Sequence, residues 1–506
     1  MINHPETLVE SHRIISSLYL NNQELLQKNQ ELEQQVAWFK KQIFGQKSEK
    51  ILWEKPNAQQ LSLGEQFEKQ EPVVDKEITV KSYTKTKVIK EDSNNNDAQG
   101  LRFSQEVKVE EILLPLPPEC EGKEYEVIDT RVTHTLAQTQ SSYFVKRYLR
   151  PIVKIKETNQ VVNAAAKELV LERSFADTTF LAGILVDKFS YYLPLYRIHQ
   201  RLSMSGITIS RSTLTNYVHR VGELLTPVYE ALIRSIASSK LVAMDETPIK
   251  AGRKGEGKMH QGYFWSLYGD KDEVGFVYFD TRALSAIKAI LGEVFEGTLL
   301  TDGYAAYQAY VKTMSKVIHA LCWAHIRREF FEAQESQPAC AIQALEIIAR
   351  LYQVEEEIRG SPPEKRLQTR REKSQPLVDE FFEFIRKKST QLPLLPSNPF
   401  LKACNYAIQR QKGLIEFLSN PDIPLDTNHL ERALRPLPMG RKNWLFCWTE
   451  VGAKYVAVIQ SLIASCKTAN INPFDYFCDI LPRLDSVKMS EVDSLLPRNW
   501  KLSDHP

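Results

Sequence analysis

From residue 8 to 45 the apolar positions recur every seven residues. Leu18, Leu25, Leu32 and Phe39 form one series, and Ile15, Asn22, Asn29, Val36 and Ile43 a second, offset by three. Two interleaved series at this spacing are the seams of a coiled coil, and asparagine within a seam sacrifices stability for a fixed register and oligomer state. A single amphipathic helix lying on its own protein would show the same stripe. We expect an oligomerising coiled coil over residues 8–50. Residues 51–103 lose the pattern, being rich in Lys, Glu, Gln and Asn with EDSNNNDAQG at 91–100. Apolar side chains there are too sparse to offset the entropy of ordering, which predicts a flexible linker.

Alternation replaces the heptad over 104–165, in VKVEEILL, YEVIDTRVTHTLAQ and YFVKRYLRPIVKIKE, and predicts a β-rich segment. The last stretch interleaves Lys146, Arg147, Arg150, Lys154 and Lys156 with aromatic and branched residues. Such strands suit phosphate contact and base stacking, and equally suit a plain solvated face. Helical spacing takes over in 166–236. Within it, LPLYRIHQRLSMSGITISRSTLTNYVHRV reads as a helix-turn-helix: a first helix to Met204, a turn at Gly206, and a second helix capped by Ser210. Arg211, Asn216 and Arg220 on that second helix are candidate DNA contacts, although the same layout also occurs as a packing motif.

The central region is strand-rich. LVAMDETPIK at 241–250 starts as a buried strand, reaches Asp245 and Glu246, and is expected to stop at Pro248, which cannot donate to a ladder. Gly-rich GRKGEGKMHQ predicts a hairpin, and GYFWSLYGD and EVGFVYFDTR the next two strands. Helix SAIKAILGEV, strand GTLLTDGY and strand-to-helix KVIHALCWAHIRREFFEA follow. Three strands, helix, strand, helix, strand, helix is the order of a mixed α/β sheet of the ribonuclease H type. This core is expected at 237–334 and again at 426–484, interrupted by an all-helical insertion at 335–425. The polar tail, 485–506, is expected to be peripheral.

Composition adds exclusions. The chain has 506 residues, 65 basic and 63 acidic, so any nucleic-acid surface must arise from local clustering. Its 7 cysteines include no CxxC pair, which argues against a disulfide scaffold or a four-cysteine zinc site and fits a reducing cytoplasm. No apolar run is long enough to span a membrane, and MINHPETLVESHR does not read as a signal peptide.

The candidate chemistry lies in the acids. Asp245 and Asp302 end strands that are adjacent in the expected order, and Glu431 in DTNHLERALRP falls on a helix after the insertion. Three carboxylates suit Mg²⁺ (or Mn²⁺), which prefers oxygen ligands and keeps waters for substrate. Two such ions activate an attacking oxygen and stabilise the leaving one. We expect Asp245 to bridge the ions, and Asp302 and Glu431 each to hold one. Glu246 and Asp426 are the rival acids: strand alternation should turn Glu246 away, and Asp426 is placed to cap a helix.

DETP, TDGYAAY, CWAHIRREFFEA and ERALRPLPMGRKNWLF, in that order, resemble the large transposase of the insertion sequence 66 family of bacterial mobile elements. FGQKSEKI and AVIQSLIASCKTANINPFDYFCDIL extend the resemblance over most of the chain. It implies a DDE transposase that cuts at the element's 3′ ends and joins the freed hydroxyl to target DNA, with Asp245, Asp302 and Glu431 as its acids. Implied partners are double-stranded DNA (terminal inverted repeats and target), further copies of the chain and accessory proteins of the same element, in a bacterial cytoplasm at the nucleoid. Arg435, Arg441, Lys442 and Trp444 flank the third acid and are read as gripping DNA ends, with Arg435 alternatively an ion pair one turn from Glu431. Cys322 and His325 in CWAH are read as packing or polar contacts near the site; two ligands do not close a zinc tetrahedron. The family's cysteine-rich zinc segment is reduced here to Cys120 and His134, so zinc is not expected. The competing readings are a related nuclease or resolvase that cuts without joining, and a DNA-binding protein without catalysis.

Overall fold

The computed structural model describes residues 101–501, except 104, 106, 122, 140–141, 256–257, 392–393, 429–431, 433–434, 445–446 and 448, and Lys28 besides. The expected coiled coil (apart from Lys28, which is helical), most of the expected linker, and Glu431 therefore lie outside the described residues.

The linker boundary is earlier than composition suggested. Leu101 is fully buried, and β1 (Arg102–Phe103) already pairs within the fold. The β-rich segment is a sheet of β2 (Val109–Leu113), β3 (Tyr125–Thr139), β4 (Ser142–Ile155) and β5 (Val161–Asn163). β4 lies between an antiparallel β3 and a parallel β2, with β5 also on β4. Cys120 packs with Val153 and Ile155, and His134 meets the Phe103 ring edge-on.

A helical region follows. α1 (Thr178–Phe189) is capped by Asp177, whose carboxylate accepts from the Thr179 N–H. α2 (Leu195–Met204) turns at Gly206, which takes φ +76°, a value glycine adopts without a Cβ clash. β6 (Ile207–Thr208) pairs with β1, and α3 (Arg211–Leu224) starts at the Ser210 cap. The helix, turn and cap thus fall where the sequence put them. α4 (Thr226–Ala237) leads into the main sheet.

That sheet has five strands: β7 (Leu241–Gly255), β8 (Lys258–Gly269), β9 (Val274–Phe279), β10 (Gly297–Thr301) and β11 (Val317–Leu321). α5 (Leu284–Leu291), α6 (Ala305–Thr313) and α7 (Trp323–Glu332) connect or follow them. The spatial order is β11-β10-β7-β8-β9, with β7, β8 and β9 antiparallel and β10 and β11 parallel to β7. β7 does not stop at Pro248; it runs on to Gly255 opposite β8. The reason is local. β10 pairs with β7 only as far as Ala243, so Pro248 sits where that flank of the strand needs no ladder donor.

The region expected as a helical insertion contains α8 (Pro338–Glu357), α9 (Gln375–Gln391) and α10 (Pro399–Gln409). Aromatic packing ties it to α7. Trp323 meets Phe381 edge-on at 5.2 Å and donates its indole N–H to the Leu414 carbonyl at 2.9 Å, and Phe330 meets Phe381 and Phe400.

The C-terminal part comprises α11 (Pro436–Trp444), α12 (Glu450–Thr468) and α13 (Pro473–Arg483). α12 is buried on every side from Val456 to Cys466 because it fills the space beside β9, the outer strand of the sheet. An outer strand leaves backbone groups unpaired. Serines one turn apart solve this: Ser461 Oγ accepts from the Phe276 N–H at 2.8 Å, and Ser465 Oγ accepts from the Val274 N–H at 3.0 Å. Ser465 and Thr468 also donate to the Val274 and Asp272 carbonyls. Ser461→Ala strands a buried amide, which costs about 1–3 kcal/mol. Exchange of the Phe276 amide should accelerate about tenfold or more, and an unchanged exchange rate would mean that the hydroxyl does not cap this edge.

The tail is not peripheral. Val492, Leu495 and Leu496 are buried, Arg498 pairs with Glu273, and the Trp500 indole donates to Asp479. A few apolar anchors suffice to hold a polar segment whose average composition conceals them.

Candidate active site

Asp245 lies two residues past the last β7 residue paired with β10, and Asp302 directly follows β10. Parallel pairing of β7 and β10 brings both acids to the same end of the sheet. Asp245, Glu246 and Asp302 each offer a carboxylate oxygen within 4.8 Å of the other two. Local hydrogen bonds fix them. Asp245 Oδ1 accepts from the Glu246 N–H at 2.8 Å, and Asp302 Oδ1 accepts from the Tyr304 N–H at 2.8 Å. Gly303 turns the chain between them with φ +84°, and a Cβ there would meet Arg410 Nε at 2.7 Å.

Glu246 is the correction to the sequence reading. It joins the acidic cluster and does not turn away. Alternation fixes only Cα–Cβ directions; beyond Ala243 the strand has lost its β10 neighbour, and the longer glutamate arm spans the remaining distance. Its side chain is 1% exposed and fully engaged. Arg282 Nε donates to Oε1 at 2.5 Å, and the Tyr307 hydroxyl donates to Oε2 at 2.6 Å. Burial pushes the Glu246 carboxyl above its ordinary range, against the pull of Tyr307 and Arg282, while nearby Asp302 adds to the rise. Arg282 also lies over the Tyr304 ring, 3.9 Å from its centroid. Glu246 therefore serves to anchor Arg282 and Tyr307 at the edge of the cluster.

The insertion reaches this site, which no sequence pattern announced. Tyr406 on α10 donates its hydroxyl to the Asp302 carbonyl at 2.8 Å, and Arg410 donates to the Gly303 carbonyl at 3.1 Å. The Arg410 guanidinium stacks on Tyr406 at 3.6 Å. Behind Asp302, Thr301 Oγ1 and His319 Nε2 are 2.9 Å apart. Burial holds His319 down at about 4, so its ring is neutral at physiological pH.

Glu431 is outside the described residues, but its approach is visible. Cys322 Sγ accepts from the Thr427 N–H at 3.3 Å and from its hydroxyl at 3.2 Å, and the Trp323 N–H donates to the Leu425 carbonyl at 3.1 Å. CWAH thus docks the segment Leu425–Thr427, with Cys322 in a polar contact and His325 on the first turn of α7. Asp426 accepts from the Asn428 N–H at 2.9 Å.

The basic candidates divide. Arg211 and Asn216 are exposed on α3, and Arg435 and Lys442 are exposed around α11, which also contains Arg441. Arg220 turns back onto the protein and donates twice to the Glu172 carbonyl at 3.1 Å. Arg147 pairs with Glu111 at 2.7 Å, and Arg150 lies half-buried on β4. Trp444 faces inward: it meets Phe189 edge-on at 5.4 Å and donates to the Tyr192 carbonyl at 3.2 Å. Its apolar bulk gains more from α1 than from solvent.

Comparison with known proteins places the chain among the transposases. The family described as "Transposase IS66 family" matches residues 173–455, the "IS66 C-terminal element" matches 461–498, and "Transposase C of IS166 homeodomain" matches 31–94. The chain belongs to the IS66 transposase family. The third match takes in much of the segment whose composition suggested only a linker. Among similar proteins of Sinorhizobium fredii, the uncharacterised y4qI is 28% identical, over 78% of this chain and 76% of its own length. The uncharacterised y4jD is 31% identical, over 71% of this chain and 73% of its own length. No helix among the described residues is long and apolar enough to cross a membrane.

Proposed function

We propose that this chain is a DNA transposase of the DDE type. In this reading it binds the ends of its mobile element, hydrolyses the strand at each 3′ end, and joins the freed 3′-hydroxyl to target DNA. Asp245, Asp302 and Glu431 are its three acids. The observation that carries the reading is the convergence of Asp245 and Asp302 just beyond the parallel pairing of β7 and β10, their carboxylate oxygens within 4.8 Å. The sheet order, three antiparallel strands flanked by two parallel ones, supports a ribonuclease H-like core.

The residues present suit Mg²⁺ or Mn²⁺, since the donor set is all carboxylate. Asp245 would be shared between two ions, with Asp302 and Glu431 holding one each. When bound, the ions supply Lewis acidity to the attacking and leaving oxygens. The chain's own residues do the rest. Arg282 and Tyr307 occupy both oxygens of Glu246, which keeps that acid out of competition for the ions. Tyr406 and Arg410 hold the Asp302 turn so that its carboxylate keeps one direction. The exposed face of α3, with Arg211 and Asn216, is the surface for duplex DNA, and Arg435, Arg441 and Lys442, which follow Glu431 in the chain, grip the DNA ends.

The test is cleavage and strand transfer on DNA that flanks the coding region. Nicking and joining are expected with Mg²⁺ and should vanish with a chelator. Cleavage that survives complete removal of divalent ions would overturn the metal-dependent reading, and cutting without any joined product would reduce the protein to a nuclease.

A further inference from the structure

A cavity of about 490 Å³ lies where α1, α2 and α3 meet the chain running from α11 into α12. Its lining includes Lys188, Tyr196, Arg211, His219, Trp444 and Tyr455, and no carboxylate among the described residues. The Lys188 ammonium lies over the Trp444 ring, 4.2 Å from its centroid, and forms no ion pair with any described residue. Burial pulls Lys188 down to about 8, while the neighbouring Cys447 thiol is pushed up to about 11 and so supplies no negative charge. The first turn of α12 borders the same space through Thr449 and Gly452, but the Thr449 hydroxyl caps the Gly452 N–H at 2.9 Å and Glu450 lies in the same turn, so the charge of the cavity comes from its side chains.

Lys188 and Arg211, in a lining without a carboxylate, make a place for an anion, while His219 is held below its ordinary range by burial and by Lys188 and adds no fixed charge. The remaining wall is aromatic. Tyr196 is 53% exposed, with the Arg211 guanidinium 5.7 Å from its centroid, and the Tyr455 ring lies 5.5 Å from that of His219. A phosphate beside a flat ring is the chemistry of one nucleotide. Arg211 and Thr215 belong at once to this cavity and to the exposed face of α3.

We propose that the cavity receives a single unpaired nucleotide of the DNA strand lying on α3, its phosphate held by Lys188 and Arg211 and its base against Tyr196. The proposal rests on the DNA-binding reading above. It gives the joint between the helical region and the C-terminal part a function: a strand seated there touches both.

The full-length protein can be titrated with a duplex bearing a one-nucleotide 3′ overhang of 2-aminopurine, and with the blunt duplex of the same sequence. The overhang should bind about tenfold more tightly, as expected for one stacked base, and its fluorescence should be quenched. In Lys188→Met, which keeps the length of an already desolvated side chain, and in Tyr196→Ala, at an exposed position, that preference should fall to about one. Equal affinity of the wild type for both duplexes, or a preference that persists in both variants, would overturn the subsite and leave the DNA-binding reading intact. Failure to bind either duplex would overturn both. Deoxyadenosine monophosphate should not displace the overhang; displacement at equal concentration would overturn the assignment to a strand and give the cavity to free nucleotides.

Discussion

Asp302→Asn is expected to lower DNA strand cleavage by about 10³-fold or more while leaving DNA affinity within about twofold. The substitution keeps size and shape. Asparagine can still accept the Tyr304 N–H through its side-chain oxygen, and the Tyr406 contact is to the Asp302 backbone carbonyl, which does not change. What disappears is the charge. In the proposed reading a charged ligand is lost, which removes several kcal/mol of stabilisation of the attacking and leaving oxygens, and each 1.4 kcal/mol is about tenfold in rate. A gel assay of nicking, run beside a binding titration on the same DNA, separates the two effects. If Asp302→Asn cuts at a wild-type rate, Asp302 is not a site acid. If binding falls together with cutting, the turn at Gly303 has been disturbed instead.

Arg370→Met is expected to open the helical insertion before the rest of the protein. Arg370 is among the largest fully buried side chains, pairing with Glu355 through Nε at 2.8 Å and Nη2 at 2.7 Å. Nη1 donates to the Phe417 and Asn420 carbonyls at 2.8 and 3.0 Å. Breaking a buried pair by removing one partner costs about 3–5 kcal/mol. Glu355 keeps 19% of its side-chain surface in water, so the lower end applies. About 3 kcal/mol raises the open fraction of the insertion by roughly two orders of magnitude. Limited proteolysis should cut first within residues 358–422. Cleavage of DNA should fall as well, because Tyr406 and Arg410 brace Asp302 from the insertion. Protease resistance equal to the wild type would show that the pair contributes nothing net, and full activity in an opened insertion would remove the bracing role.

Much of the architecture was written locally. Alternation in 125–155 gave two long strands, and Ser210 and Gly206 gave the start of α3 and the turn before it. The strand-helix order of 241–332 gave the sheet, because each of these choices depends on neighbours a few residues away. Asp302 does follow the end of its strand, but Asp245 lies within β7, just beyond its pairing with β10, because β7 runs on beside β8. The tertiary structure decided what depends on distant partners. Glu246 entered the cluster because β10 withdraws beyond Ala243 and because Arg282 and Tyr307 supply its counterpart groups. Pro248 stayed within a strand because one flank was open. Trp444 and Arg220 turned inward onto α1 and the Glu172 carbonyl, contacts that no spacing within ERALRPLPMGRKNWLF or RSTLTNYVHR encodes. Tyr406 and Arg410 lie more than a hundred residues from Asp302, and serines 461 and 465 nearly two hundred from β9. A pattern of hydrophobic and polar residues fixes which face of an element is buried, but the partner that meets that face is chosen only when the whole chain packs.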